Sequence, residues 1–238
     1  MAKNEKKNIF EKMKNKNLEK LEIFDLEGNL IEIKRRDKYY EEVKKEFATT
    51  GKISKKVKNM RVILMNSDGR IYIQKRSYFK NENPGLLDKT VGGHVVAGHS
   101  LLLTVVQECH EELGFPAVIL NDDEFNKALF STNLQIVGIL RQVELAENFI
   151  SIRKTADGKI FEQPLINAFY IGYFDGPIKF CDGESVGIET FTIEQLKKII
   201  SEKPEIFTED LKFMIKRYEK FLGPIEKNKK IIYGFEKK

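Results

Sequence analysis

Residues 93–115, GHVVAGHSLLLTVVQECHEELGF, are the most informative stretch of this 238-residue chain. Ser100 is a natural N-cap, because its hydroxyl can accept from the orphan N–H groups of a first helical turn. Leu102, Val105, Val106, Cys109 and Leu113 recur at i, i+3, i+4, i+7 and i+11, which predicts an apolar stripe on a helix beginning at Leu101. Gly114 falls where a C-cap glycine belongs, and Pro116 prevents continuation. Glu108, Glu111 and Glu112 stand at i, i+3 and i+4, so helical spacing turns three carboxylates to one side. Like charges repel at that spacing, and a helix C-terminus is the wrong end for acids. Such a face is either simply solvated or a site for a hard divalent cation such as Mg²⁺ or Mn²⁺, which prefers oxygen ligands.

Outward from this helix, Thr90–Val96 reads as a short strand broken by Gly92-Gly93. Before it lie a loop around Asn83-Pro84-Gly85 and a hairpin, Arg61–Met65 and Ile71–Lys75, whose turn ends in Asp68-Gly69. A second hairpin is expected from Leu21–Asp25 and Leu30–Lys34, then a short helix over Tyr39–Phe47. Strands are expected at Leu134–Leu140 and Ala168–Phe174, with less definite pairing around Val143–Arg153, and helices at Ile193–Ile200 and Glu209–Leu222. Residues 121–132 and 148–164 read as loops or insertions. Strands and helices mixed in this order predict a single α/β sandwich domain over 21–222 with a small N-terminal extension.

Composition narrows the function classes. Hydrophobic residues make up 41% and charged residues 32%, and no apolar run approaches the roughly 20 residues that span a bilayer. No apolar segment follows the basic N-terminus, so no signal peptide is read. Two cysteines, Cys109 and Cys181, make neither a disulfide framework nor a zinc spacing, which points to a reducing cytoplasm. The net charge of +5 is concentrated at the ends: residues 1–20 carry +4 and residues 223–238 carry +3, leaving the body at −2. Both ends read as lysine-rich tails that serve solubility, with weak nucleic-acid contact the minority reading, so the charge is no argument for a nucleic-acid-binding body.

The stretch 93–115 resembles the Nudix box, G-x5-E-x7-R-E-U-x-E-E-x-G-U with U apolar. Gly93, Glu108, Glu111, Glu112 and Gly114 supply five of its seven fixed letters, and Cys109 and Phe115 fill the two apolar places. Ile71–Ser77, Lys80, Pro84-Gly85, residues 92–100, the "AFYIGYFDG" segment at 168–176 and Glu184 are similar to the isopentenyl-isomerase-like branch of that superfamily. The resemblance implies a Nudix-type α/β/α sandwich with a mixed sheet. It also implies divalent-metal-dependent hydrolysis of a diphosphate linkage in a nucleoside diphosphate derivative or related small molecule. In this reading Glu108, Glu111 and Glu112 hold Mg²⁺ or Mn²⁺ with the backbone carbonyl of Gly93, Glu184 completes the site, and Arg76 and Lys80 neutralise the diphosphate. Glu108 could instead orient or deprotonate water. Phe149, Phe161, Tyr170 and Phe174 are the aromatics available to stack on a base, although aromatics at strand spacing more often belong to a core.

Two box letters depart: His99 replaces a Glu, and Gln107 replaces the Arg that orients a helix carboxylate in the family. These departures keep open a nucleotide-sensing module without turnover. Isopentenyl diphosphate isomerase is a further alternative, weakened because the family's Thr/Cys/His segment is absent. His94, His99 and His110 all fall in this stretch but lack a zinc-type spacing. The N-terminal hairpin and helix read equally as a homodimer contact or as a lid.

Overall fold

The strand Lys56–Met65 (β3) forms the spine of the domain, and its sequence explains why. Met60, Val62 and Leu64 pack on one face of the sheet, and Val57, Ile63 and Met65 on the other. Burial on both faces gives a nearly continuous apolar run in place of polar alternation. The computed structural model describes residues 16, 18–155, 157–179 and 185–225.

In chain order the other elements are β1 (Lys20–Phe24), β2 (Leu30–Arg35), α1 (Arg36–Thr50), β4 (Ile71–Arg76), β5 (Leu87–Asp88) and β6 (Val91–His94). There follow α2 (Leu101–Leu113), β7 (Ala117–Ile119), α3 (Asp122–Ser131), β8 (Gly138–Lys154), β9 (Ile160–Tyr173) and β10 (Ser185–Phe191). Helices α4 (Ile193–Glu202) and α5 (Glu209–Tyr218) complete the fold. The main path of the sheet runs β10-β4-β3-β9-β8-β7. Pairs β3–β9 and β7–β8 are parallel and the remaining pairs antiparallel, so the sheet is mixed. Helix α2 covers one face through Val105, Cys109 and Leu113; α1, α3, α4 and α5 cover the other. This is the α/β/α sandwich expected. Among the described residues no helix is long and apolar enough to cross a membrane.

The strand separation that makes room for a site is visible in the register. After the turn at residues 66–70, β4 pairs with β3 only at Met65↔Ile71, then leaves to pair with β5 and β10. Strand β6 takes the vacated edge of β3, pairing Asn59↔His94 through Val62↔Val91. A cleft opens between these two groups of strands. The two-strand hairpin expected here is therefore a turn whose arms diverge.

Three other expectations change. Residues 121–132 are α3, started by a capping box in which Asn121 and Glu124 each bond the other's backbone. Residues 148–164 are the far half of the β8–β9 hairpin, in which β8 alone is 17 residues long. Bulges at Gln142/Glu144 and Ala146/Phe149 shift its register and erase the two-residue alternation that would have marked it. The expected strand at Leu134–Leu140 starts only at Gly138.

Helix α2 has the expected caps: Ser100 Oγ accepts from the Leu103 N–H at 3.1 Å, and Gly114 takes the left-handed conformation at φ 73°. Its buried side is rotated from the expected stripe. Leu102 is 53% exposed and Leu103 and Val106 also face outward, whereas Thr104, Val105, Cys109, Glu112 and Leu113 are buried. The run LLLTVV puts apolar residues nearly all round the first turns, so periodicity alone cannot fix the face.

The inner layer against α5 holds one large charge. Arg61 of β3 is 1% exposed, and its Nε and Nη2 donate to Asp210 Oδ2 at 3.0 and 2.6 Å. Nη2 also donates to Ser151 Oγ at 3.2 Å, Nη1 to Asn167 Oδ1, and the guanidinium lies 4.8 Å from the Phe149 ring centre. Removing one member of such a pair strands the other charge in a low-dielectric interior. Asp210→Ala is therefore expected to lower unfolding free energy by about 3–5 kcal/mol in urea melts at neutral pH. A loss below about 1 kcal/mol would mean that water reaches the guanidinium.

Candidate functional site

The cleft encloses about 430 Å³ and gathers residues from α1, β3, β6, α2, α5 and the 76–89 segment. One wall is built on Gly92-Gly93. A side chain at Gly93 would place its Cβ 2.2 Å from Glu108 Oε1, so the bare backbone of β6 lies directly against the Glu108 carboxylate. Gly93 and Glu108 both line the cleft. Glu112, one turn further along α2, is 2% exposed and accepts from Gln74 Nε2 of β4 at 3.2 Å. Glu108 and Glu112 thus share the side of α2 that faces the sheet, and Glu111 is exposed. On the open side Lys16 Nζ meets Glu108 Oε2 at 3.2 Å.

The cation candidates take different places. Lys80 lines the cleft. Arg76 also lines it, but its guanidinium braces the segment that follows, donating to the carbonyls of Asn83 and Glu82 and to Asp88 Oδ2 at 2.9 Å. Glu184 and Cys181 lie outside the described residues. Phe149, Phe161, Tyr170 and Phe174 are all buried in the two apolar clusters, as core aromatics.

Several cleft residues carried no motif. Lys89 packs its Cε against Gly92, and its Nζ donates to both oxygens of Asp88 at 3.0 Å. Burial lowers the Lys89 pKa against the opposing pull of Asp88 and Asp210. Burial works to raise the Asp88 pKa, but Lys89 and Arg76 hold it well below the usual carboxylate range. Asp88 also accepts from Thr208 Oγ1 at 2.6 Å, and the same hydroxyl oxygen caps α5 by accepting from Leu211 N–H. At the other end Tyr40 OH lies 2.6 Å from His94 Nε2 and 3.1 Å from both Gln163 Oε1 and Arg153 Nη1. Burial, then Arg36 and Arg153, push the His94 pKa well down, so the ring is neutral at pH 7. Asn59 is 5% exposed, lines the cleft, and has no hydrogen-bond partner for Oδ1. The one usable sequence signal nearby was Arg61, a charge set between Met60 and the apolar run Val62–Met65. Nothing in the sequence brings Tyr40 or Arg153 to His94.

The donor set suits a hard cation. Two carboxylates of one helix face and the glycine backbone are oxygen donors; among the described residues no group of three or more His, Cys, Asp or Glu could cage a metal ion alone. Mg²⁺ is ordinarily held by one or two carboxylates, its own waters and substrate phosphates, which such a partial set fits.

Comparison with known proteins now bears on this geometry. The sequence model of the NUDIX domain matches residues 55–211, a span that contains β3, the cleft and α2. The chain belongs to the Nudix family. It is 39% identical to the uncharacterized Nudix hydrolase YfcD of Escherichia coli K12 over 57 residues, 24% of this chain and 32% of that protein. A Nudix hydrolase of Yersinia pestis is 37% identical over 57 residues, 31% of its length. The chain thus spans about a third of the curated relatives it matches. The crystal structure of DR0079 from Deinococcus radiodurans has the same fold, with a TM-score of 0.56, 19% identity and coverage of 84% of this chain and 98% of that one. Nudix hydrolases as a class use divalent metal ions.

Glu82 tests the electrostatics of the cleft rim. Burial works to raise its pKa, yet Arg153 at 2.7 Å and Lys44 at 3.0 Å bring it down to about 2. A folded-state pKa below the unfolded value stabilises the protein above pH 4.5, and that stability is lost as pH falls toward 2. Glu82→Gln is expected to be less stable than wild type by ~3 kcal/mol at pH 7, with the gap closing as pH falls through that window. Urea melts across pH 7 to 3 measure it; a pH-independent gap would refute the assignment.

Proposed function

We propose that this protein hydrolyses a diphosphate linkage in a small molecule, using a divalent cation held by Glu108, Glu112 and the Gly93 carbonyl. The observation that supports it most is the seating of the Glu108 carboxylate on the bare backbone of Gly93, inside a cleft rich in Lys and Arg. When bound, Mg²⁺ or Mn²⁺ supplies charge neutralisation on the diphosphate and a more acidic water. The chain's own residues do the rest. Gln74 fixes the buried Glu112 carboxylate from β4, so the ligand is oriented before substrate arrives. Glu108, at the cleft wall, is also placed to accept the proton of the attacking water. Lys80 and Lys89 bring positive charge to the cleft where phosphate oxygens would lie. Glu111, the exposed acid of the same helix face, and Glu184 remain the further candidate ligands.

A sensing role without turnover is the second reading, supported by Lys16, which already sets a cation on Glu108. Isomerisation has less support. Cys109 is wholly buried, and burial followed by Glu112 and Glu108 pushes its thiol pKa well up, so it offers the cleft no reactive group.

Phosphate release from a diphosphate panel with Mg²⁺ or Mn²⁺ tests the proposal beside Glu112→Gln and Gly93→Ala. Glu112→Gln is expected to lower kcat by on the order of 100-fold or more, as loss of an electrostatic group at a phosphoryl-transfer site does. In Gly93→Ala the three atoms nearest the new Cβ all belong to the Glu108 side chain, so the protein is expected to stay folded by circular dichroism while turnover falls similarly. Binding of panel members without turnover in wild type would instead establish the sensor.

A further inference from the structure

The outer half of the cleft, beyond Gly93, has its own chemistry. Asn59 and His94 are register partners across β3 and β6, and the Asn59 Oδ1 is buried without a partner. An unpaired buried acceptor costs about 1–3 kcal/mol, which a ligand donor would recover. Around it the wall is Tyr40, Arg36, Lys44 and Arg153, and Met60 is the one aliphatic side chain among the described residues lining the cleft.

The charges there do not balance. Asp37 and Glu41 line the cleft but are engaged from outside it, by Arg35 at 2.6 Å and Lys38 at 2.8 Å. That leaves Glu82, which Arg153 and Lys44 share. Arg36 meets Glu19 only at 3.7 Å. Two cations, Arg153 and Lys44, thus share one carboxylate within the wall, and Arg36 stands beside them with its partner Glu19 outside it. The Tyr40 ring in this wall is already approached by Lys44 and Arg153, each at 5.7 Å, and the exposed aromatics Tyr78 and Phe79, 67% and 70% exposed, are not part of the cleft wall.

We infer that this half of the cleft binds the organic part of the substrate, and that this part is a hydroxyl-rich sugar or polyol bearing a phosphate of its own. Asn59 Oδ1 accepts from a hydroxyl, and Arg36, Lys44 and Arg153 take the additional phosphate. Tyr40 is held in this wall by hydrogen bonds to Arg153, Gln163 and His94. The inference rests on the diphosphate-hydrolase reading for the other end of the ligand.

The test is direct binding by calorimetry to Glu112→Gln protein, which separates binding from turnover, with three probes: 5-phosphoribosyl 1-diphosphate, ADP and isopentenyl diphosphate. The first is expected to bind at least tenfold more tightly than the others. Adding Asn59→Leu or Lys44→Ala should each erase most of that advantage while leaving the weak ADP affinity in place. Lys44, at the rim, keeps the test intact if Asn59→Leu fails to fold. ADP binding equal to or tighter than the sugar diphosphate, or lost with Phe79→Ala and not with Lys44→Ala, would overturn the inference. Hydrolysis by wild type is read separately. If diphosphates are cleaved without discrimination, this inference alone fails; if the sugar diphosphate binds selectively and nothing is cleaved, the hydrolase reading alone fails.

Discussion

The guanidinium of Arg61 is the interaction on which the domain turns. It stands at mid-strand in β3 and reaches Asn167 of β9, Ser151 of β8 and Asp210 at the N-terminal turn of α5. A carboxylate in the first turn of a helix also answers the positive end of that helix's dipole, so Asp210 is favoured twice. Through Lys89, whose Nζ lies 4.0 Å from Asp210 and 3.0 Å from Asp88, the network continues to β5 and then to Arg76 of β4. Strands β4 and β3, which share only one register pair, are thereby held at a fixed separation across the cleft by charge rather than by a sheet ladder. Apolar residues filling the same space would close the gap; buried ions with satisfied hydrogen bonds hold it open and polar.

That division of labour explains which parts could be read in advance. The α/β sandwich, the helix at 101–113 with both its caps, and the 66–70 turn were legible because each depends on residues close in sequence. The course of β8 and β9 was not, since two bulges interrupt the alternation that reveals a strand. Nor was α3, whose capping box at Asn121 and Glu124 was the available signal behind a polar composition.

The site divides the same way. Gly93, Glu108 and Glu112 could be named as candidates because a local spacing carries them, and the structure sets Gly93 against Glu108; Arg76, also a candidate, braces the loop beside the cleft. Asn59, Lys89, Tyr40 and Arg153 meet only through the tertiary fold, and no local rule assembles residues 40, 59, 94 and 153. What the sequence did offer was Arg61, a charge set between Met60 and the apolar run Val62–Met65. Such a residue must find partners elsewhere in the chain, and here one of them, Asp210, lines the cleft with it.

The missing arginine of the box shows how the same constraint can be met from other elements. In the resemblance, that arginine orients a carboxylate of the helix; here position 107 is glutamine and carries no charge. The buried Glu112 is held by an amide from β4, Gln74, and Glu108 is confined between the backbone of Gly93 and the ammonium of Lys16. Orientation is thus supplied from across the cleft and from the N-terminal segment, not from along the helix. An amide fixes a carboxylate's direction without bringing a positive charge to it. The ammonium on Glu108 does the opposite, and any divalent ion that binds there must take its place.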